Sequence, residues 1–156
     1  MTQHVKIPWS IRKATSSDAE AIVSFLKAQN RHKRSDFVFS EYIVAETVGE
    51  IVGCAAGRRQ AQRGYFYGLA VATSQRRRGI GHALTQHVID WLRAEGVEAV
   101  FTLVMFWNIQ FMKQHGFELV DKRVKAELRS LHPDFVDKWT ARSALMVING
   151  AKYSSL

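Results

Sequence analysis

In Leu69-Ala70-Val71-Ala72-Thr73-Ser74-Gln75-Arg76-Arg77-Arg78-Gly79-Ile80-Gly81-His82-Ala83-Leu84, an apolar run passes through an arginine-rich turn into an amphipathic pattern. Anions bind at helix N-termini, because the first amides lack internal partners and the helix dipole is positive there. Glycines let the backbone approach a phosphate, and arginines add charge-assisted contacts to its oxygens. The stretch therefore predicts a phosphate site, with a solvated basic turn as the alternative. It has neither the Gly-x-x-x-x-Gly-Lys-Ser/Thr nor the Gly-x-Gly-x-x-Gly spacing, which disfavours a nucleoside triphosphatase or a dinucleotide enzyme.

Apolar periodicity on both sides of this stretch predicts alternating strands and helices. A strand is expected over 5–13, and Ser17 to Glu20 has the spacing of a capping box that starts a helix. The remaining expected elements are a hairpin of 42–48 with 51–57, a strand over 65–72, a helix from Gly79 to Gly96, a strand over 97–104, a short helix over 108–115 and a last strand over 145–148. This order predicts an α/β sheet with helices on both faces, in one domain spanning 1–156.

The charge is basic but spread along the chain. Lysine and arginine number 22 against 14 aspartates and glutamates, giving a formal net charge of +8. Aromatic residues fall in apolar runs and are not interleaved with arginines, so a nucleic-acid partner is not expected. No run approaches the roughly 18 apolar residues of a membrane helix, so no membrane partner is expected. The single cysteine, Cys54, excludes an internal disulfide and fits a reducing, cytoplasmic location. No metal site is expected.

The chain resembles the GNAT superfamily of acetyl-CoA-dependent N-acetyltransferases. Arg76-Arg77-Arg78-Gly79-Ile80-Gly81 is similar to the pyrophosphate-loop pattern of that family, Arg/Gln-x-x-Gly-x-Gly/Ala. The hairpin around Gly49 and the His115-Gly116-Phe117 triplet are similar to further family elements. The resemblance implies a mixed, mostly antiparallel central sheet with helices on both faces. It also implies a splayed strand pair, 69–72 against 97–104, that forms the acyl-CoA cleft.

Acetyl-CoA is the co-substrate that this resemblance implies. Backbone groups of Leu69 and Val71 would pair with the pantetheine arm and the thioester, and amides of the loop would hold the pyrophosphate. The expected cofactor-binding residues are Leu69, Ala70, Val71, Arg76, Arg77, Arg78, Gly79, Ile80, Gly81 and His82.

A finer resemblance concerns the acceptor. The segments 100–104 and 142–146 look similar to the acetyltransferase domain of bacterial N-acetylglutamate synthases. This similarity implies that Arg142 and Ser143 bind the carboxylates of an amino-acid substrate. An ordinary surface cation is the alternative for Arg142.

Candidate catalytic residues are less obvious. Many members of the family carry a tyrosine, the general acid, four residues before the Gly-Phe pair, where this chain has Met112. Many also carry a carboxylate on the strand before the loop. Here that strand offers Tyr65 and Tyr67, which alternation places on one face. Both are catalytic candidates, with core packing as the alternative. Glu46 is a further candidate base acting through water, with a solvated hairpin position as its alternative.

The expected function is transfer of the acetyl group of acetyl-CoA to a primary amine of a small molecule, with glutamate or another amino acid as a candidate acceptor. The alternatives are a catalytically weak acyl-CoA-binding sensor and a protein-acetylating enzyme. The expected partners are acetyl-CoA and a small-molecule amine, and a homodimer is left open.

Overall fold

Seven strands form one mixed sheet in the computed structural model, which describes residues 8–29, 37–120 and 143–149. The strands are β1 Ser10–Lys13, β2 Tyr42–Thr47, β3 Glu50–Gln60, β4 Arg63–Val71, β5 Ala99–Met105, β6 Glu118–Leu119 and β7 Ser143–Ile148. The helices within these ranges are α1 Ala19–Ala28, α2 Ile80–Ala94 and α3 Ile109–Lys113. None of these described helices is long and apolar enough to cross a membrane.

The sheet order is β1-β2-β3-β4-β5-β7-β6. β1 with β2, β2 with β3, β5 with β7 and β6 with β7 pair antiparallel, whereas β4 and β5 pair parallel. Parallel neighbours need a crossover connection, which α2 supplies. The β4–β5 register ends at Phe66 and Thr102, although β4 continues to Val71 and β5 to Met105. The predicted mixed, mostly antiparallel sheet is confirmed, and β6 is an additional short strand.

Two compact units make up the chain. The first contains the described residues of Met1–Ala56 and Gly68–Val88. Its core includes Ile22 on α1, Val44 on β2, Cys54 on β3 and Leu84 on α2, each without exposed surface. Cys54 is thus a buried core residue. Apolar side chains at strand and helix spacing account for this core, because each element has one face to bury.

The second unit contains the described residues of Gly57–Tyr67 and Ile89–Leu156. Its apolar cluster consists of Tyr65, Ala99, Phe101, Val120, Leu145 and Val147. Beside it, the buried Thr102 hydroxyl donates a hydrogen bond of 2.9 Å to the Phe66 carbonyl oxygen. This bond lies at the last paired position of β4 and β5, so it reinforces the pair where the register ends.

The start of α1 differs from the predicted capping box of Ser17 with Glu20. Asp18 instead accepts a hydrogen bond of 2.7 Å from the Thr15 amide. Its carboxylate also accepts bonds of 2.7 and 2.9 Å from the Arg12 guanidinium. The Arg12 bonds and then the Thr15 amide hold the pKa of Asp18 below its ordinary value. The capping box is therefore formed by Thr15 and Asp18, at the 3-10 turn Ser16–Asp18 that precedes α1. Local spacing does not reveal the additional charged partner of Asp18, Arg12 on β1.

Candidate acyl-CoA site

The connection from β4 to α2 adopts a backbone that presents amides at the helix start. Arg77 has φ +67° and Gly79 has φ +80°, so both lie in the left-handed region. The bond donated by the Ala83 amide to the Gly79 carbonyl oxygen, 3.0 Å long, is the first of the helix. The amides of Ile80 and Gly81 precede it and do not donate within α2. This arrangement suits a phosphate group.

The side chains of the loop differ in exposure. Arg76, Arg77 and His82 are exposed, whereas Arg78 is half-buried. The Arg78 guanidinium donates to the Gln75 side-chain oxygen, which fixes its position beside the turn. The exposed arginines supply positive charge where the helix dipole is also positive, so both effects favour an anion.

Close packing in the first unit fixes the first turn of α2. A Cβ at Gly53 on β3 would lie 3.0 Å from Leu84 Cδ1, 3.2 Å from Ile80 Cγ2 and 3.3 Å from the Ala70 carbonyl oxygen. The buried Thr85 hydroxyl donates a bond of 2.7 Å to the Gly81 carbonyl oxygen. The helix start is therefore held by close contact with β3 and by a hydrogen bond within its own first turn.

The last part of β4 is bent at Gly68. This residue has φ +71°, and a Cβ there would lie 3.2 Å from the hydroxyl of the buried Tyr42. Beyond the bend, Leu69 and Val71 are half-buried while Ala70 is buried. A positive φ inside a strand interrupts the regular ladder and redirects the backbone groups that follow. The bend thus precedes the residues expected to pair with a pantetheine arm.

The two tyrosines of β4 have different surroundings in the second unit. Tyr65 is 3% exposed and packs on Phe101, with ring centroids 6.1 Å apart. Tyr67 is half-buried, and the Arg58 guanidinium carbon lies 5.6 Å from its ring centroid. Tyr65 is a core side chain, whereas Tyr67 reaches a polar environment.

Other candidates fall in different places. Ser143 is half-buried at the first position of β7, opposite Met105 in register. Arg142 lies outside the described residues. Met112 is 1% exposed, so this position of α3 is packing rather than chemistry. The Glu46 carboxylate forms an ion pair with Arg12, in which Arg12 Nε lies 3.2 Å from Glu46 Oε1.

Comparison with known proteins identifies the family of this chain. Residues 8–117 match the model of the Acetyltransferase (GNAT) family. The chain belongs to this family. The match includes β4, the arginine-rich loop and α2, which together form the candidate phosphate site.

Two amino-acid acetyltransferases of Neisseria meningitidis, from serogroups A and B, are each 30% identical to this chain. The aligned part covers 77% of this chain and 30% of each relative, so this GNAT chain spans less than a third of the curated relatives it matches.

Two solved structures are similar in fold. N-acetylglutamate synthase from Neisseria gonorrhoeae, complexed with coenzyme A and N-acetyl-glutamate, matches with a TM-score of 0.74 and 26% identity. That match covers 92% of this chain and 35% of the synthase. A Mycobacterium tuberculosis protein crystallised with CoA matches with a TM-score of 0.74 and 24% identity, covering 89% of this chain and 98% of that one.

Three features of the GNAT site were missed by sequence reasoning: the close approach at Gly53, the bend at Gly68 and the contact between Arg58 and Tyr67. Gly53 and Gly68 each stand inside an apolar strand, a position where glycine often marks a bulge or a close approach. That signal was available. The approach of the Arg58 guanidinium carbon to 5.6 Å from the Tyr67 ring centroid carried no local signal, because it depends on how β3 lies beside β4. Within the described residues, no group of three His, Cys, Asp or Glu side chains is arranged to hold a metal ion.

Proposed function

We propose that this GNAT chain transfers the acetyl group of acetyl-CoA to the primary amine of a small molecule, with an amino acid such as glutamate as the first acceptor class to test. The observation that carries the proposal is the helix start at Ile80 and Gly81, whose amides precede the helix ladder beside exposed arginines. Phosphate groups are among the anions that such a helix end binds. The names of the amino-acid acetyltransferase relatives support the acceptor class.

In this proposal the loop amides from Arg76 to His82 hold the pyrophosphate. Backbone groups of Leu69 and Val71 pair with the pantetheine arm, and Ala70 packs beneath it. The acceptor amine, as the free base, attacks the thioester carbonyl carbon, and a backbone amide near Leu69 stabilises the oxyanion. The C–S bond then breaks, the thiolate takes a proton, and the amine nitrogen releases one proton to water, so the reaction is neutral in protons overall.

Tyr67 is the proposed proton donor to the thiolate. Its half-buried position contrasts with the packing of Tyr65 in the apolar cluster. A thiol has a pKa of about 8.5, so the thiolate is a tolerable leaving group without an acid. General acid help is worth about 10²–10⁴-fold. Loss of the Tyr67 hydroxyl should therefore slow turnover without abolishing it.

The experiment is turnover of acetyl-CoA with a panel of amino acids and simple amines, read as release of free thiol. Tyr67→Phe should lower kcat at least tenfold, while Tyr65→Phe, its matched control, should change kcat little. Full activity of both variants would exclude a tyrosine acid on β4 and leave a water-mediated or concerted route.

If no small amine in the panel is acetylated, one of the two alternative functions replaces the proposal. If CoA binds in calorimetry but no acceptor is acetylated, the acyl-CoA sensor replaces the enzyme proposal. If an N-terminal peptide is acetylated and no small amine is, the protein-acetylating alternative replaces it.

Two further parts of the proposal concern the whole chain. The family match crosses both compact units, which supports one catalytic domain over 1–156. A cytoplasmic setting fits the single cysteine and the co-substrate.

A further inference from the structure

Thr102 on β5 is a buried polar side chain in an otherwise apolar strand. It is 1% exposed, and every other residue of β5, from Ala99 to Met105, is apolar. Burying a hydroxyl costs free energy unless the group is hydrogen-bonded. Here the hydroxyl donates to the Phe66 carbonyl oxygen of β4 at 2.9 Å. The contact with β4 therefore accounts for a polar residue at this position.

The same position is where the pairing of β4 with β5 stops. Phe66 and Thr102 are the last residues of the shared register, although β4 continues to Val71. β4 also borders β3, whose Val52 carbonyl oxygen accepts a bond of 2.8 Å from the Ala72 amide just past the end of β4. The Thr102 hydroxyl therefore joins β4 to β5 at the point where their register ends.

The group that Thr102 binds belongs to the peptide unit between Phe66 and Tyr67. Because a peptide unit is planar, a bond that fixes its carbonyl oxygen also restricts the amide nitrogen of Tyr67. Side chains alternate along a strand, so Thr102 and its register partner Phe66 project from one face of the sheet and Tyr67 from the other. Thr102 therefore acts on Tyr67 through the β4 backbone, without touching the phenol.

We propose that Thr102 is a positioning residue for acetyl transfer, whose hydroxyl fixes the peptide unit between Phe66 and Tyr67 and thereby the direction of the Tyr67 side chain. This inference rests on the proposed function, because Tyr67 is the proton donor proposed there. A displacement of about 1 Å at a reacting group can cost about 100-fold in rate, so one hydrogen bond at this peptide unit is enough to influence turnover. The inference predicts an effect of Thr102 on kcat and not on CoA binding.

The kinetic test compares Thr102→Val, which removes the hydroxyl with little change in volume, with Thr47→Val. Thr47 is the matched control, because it is also buried and its hydroxyl donates to a backbone carbonyl oxygen, that of Pro8, at 2.8 Å. Thr102→Val should lower kcat at least about fivefold and leave the KM for acetyl-CoA within about twofold of the parent value. Thr102→Ser keeps the donor and should recover most of kcat. An unchanged kcat in Thr102→Val, or an equal loss in Thr47→Val, would overturn the proposal.

A double-variant cycle separates positioning from a general loss of stability. If Thr102 acts through the Tyr67 hydroxyl, Thr102→Val should lower kcat in the parent chain but not in the Tyr67→Phe background. Independent, multiplicative losses in the double variant would contradict the proposal, because Thr102 would then act on turnover by another route. Melting temperatures identify any variant that fails to fold, and Thr102→Ala, which also lacks the hydroxyl, then takes the place of Thr102→Val.

A spectroscopic measurement tests the placement of Tyr67 without turnover. In protein whose tyrosines are isotopically labelled at Cζ, the magnetic resonance signal of Tyr67 is assigned by its loss in Tyr67→Phe. Thr102→Val should shift this signal and leave that of Tyr42 on β2 in place, whereas Thr47→Val should leave the Tyr67 signal in place. An unshifted Tyr67 signal in Thr102→Val overturns the inference whatever the activity. A shifted Tyr67 signal in a protein that acetylates no acceptor supports the placement and overturns only the proposed function.

Discussion

Arg12 links β1 to the start of α1 and to β2, through Asp18 and Glu46. Because folding lowers the pKa of Asp18, its ionised form stabilises the fold above the ordinary aspartate value of about 3.9. That stabilisation is lost as the pH falls through the lowered folded-state pKa.

Replacement of Asp18 tests this linkage. Asp18→Asn should reduce the free energy of unfolding near neutral pH by about 1–2 kcal/mol, the range for hydrogen bonds to a charged group less screening at the partly exposed arginine. Urea unfolding should show this gap narrowing progressively below about pH 4. Glu20→Gln, an exposed carboxylate on α1, is the control and should change stability much less. A gap that does not depend on pH would refute the assignment.

Substitution of Gly79 tests whether the loop before α2 binds the CoA phosphates. An alanine there meets open space, so its intrinsic cost is the strain of φ +80°, about 1 kcal/mol. Its methyl group would, however, obstruct the proposed phosphate. Gly79→Ala should therefore weaken CoA binding more than tenfold in calorimetry. Gly96→Ala carries the same strain at φ +88°, also in open space, and should lose similar stability but keep its CoA affinity. Equal affinities of the two variants would remove the loop from the site.

Single residues also show what a sequence can predict. The Gly79 and Gly81 pattern predicts the start of α2 to within one residue, because a helix start depends on near neighbours in the chain. Tyr65 and Tyr67 were not separable, because their difference in burial depends on β4 leaving β5 after Phe66. Register and distant partners decide such cases, and local spacing contains neither.

Among the elements, α2 depends on β3 for its position. Gly53→Ala would place a Cβ 3.0–3.3 Å from the Leu84 and Ile80 side chains and the Ala70 carbonyl oxygen, so these neighbours in and beside the first turn of α2 must move by a few tenths of an ångström. We expect lower stability and several-fold weaker CoA binding, measured by thermal melting and calorimetry. Leu84→Val in the same chain removes the nearest methyl and should restore part of both losses. Independent, additive losses in the double variant would contradict this packing argument.

Element types could be predicted well from periodicity, and boundaries less well. β3 extends to Gln60, three residues beyond the predicted hairpin arm, since its end lies in a polar, arginine-rich stretch that apolar patterning does not detect. β6 has two exposed residues, Glu118 and Leu119, and exists because it pairs with β7. Tertiary pairing, not local preference, forms such a strand.

For the whole molecule, the net charge of +8 should raise the affinity for the negatively charged CoA, mainly through the exposed Arg76 and Arg77. CoA affinity should fall as salt rises from about 0.05 to about 0.5 M, whereas pantetheine, which lacks phosphates, should bind almost equally at both. Arg77→Gln should flatten the CoA salt dependence, and Arg59→Gln, with the same change in net charge, should not. Equal salt dependence for CoA and pantetheine would exclude the arginine cluster.

The bend at Gly68 constrains how this sequence can change over generations. Two separate causes act at the position: a backbone angle that L-residues resist and a tyrosine hydroxyl 3.2 Å from any added Cβ. Changing Tyr42 to a smaller residue would remove the crowding but not the strain, so no single substitution elsewhere opens position 68 to mutation. In a library drifting under selection for acetyl transfer, Gly68 should stay fixed longer than Gly49, which has a similar positive φ but open space around an added Cβ.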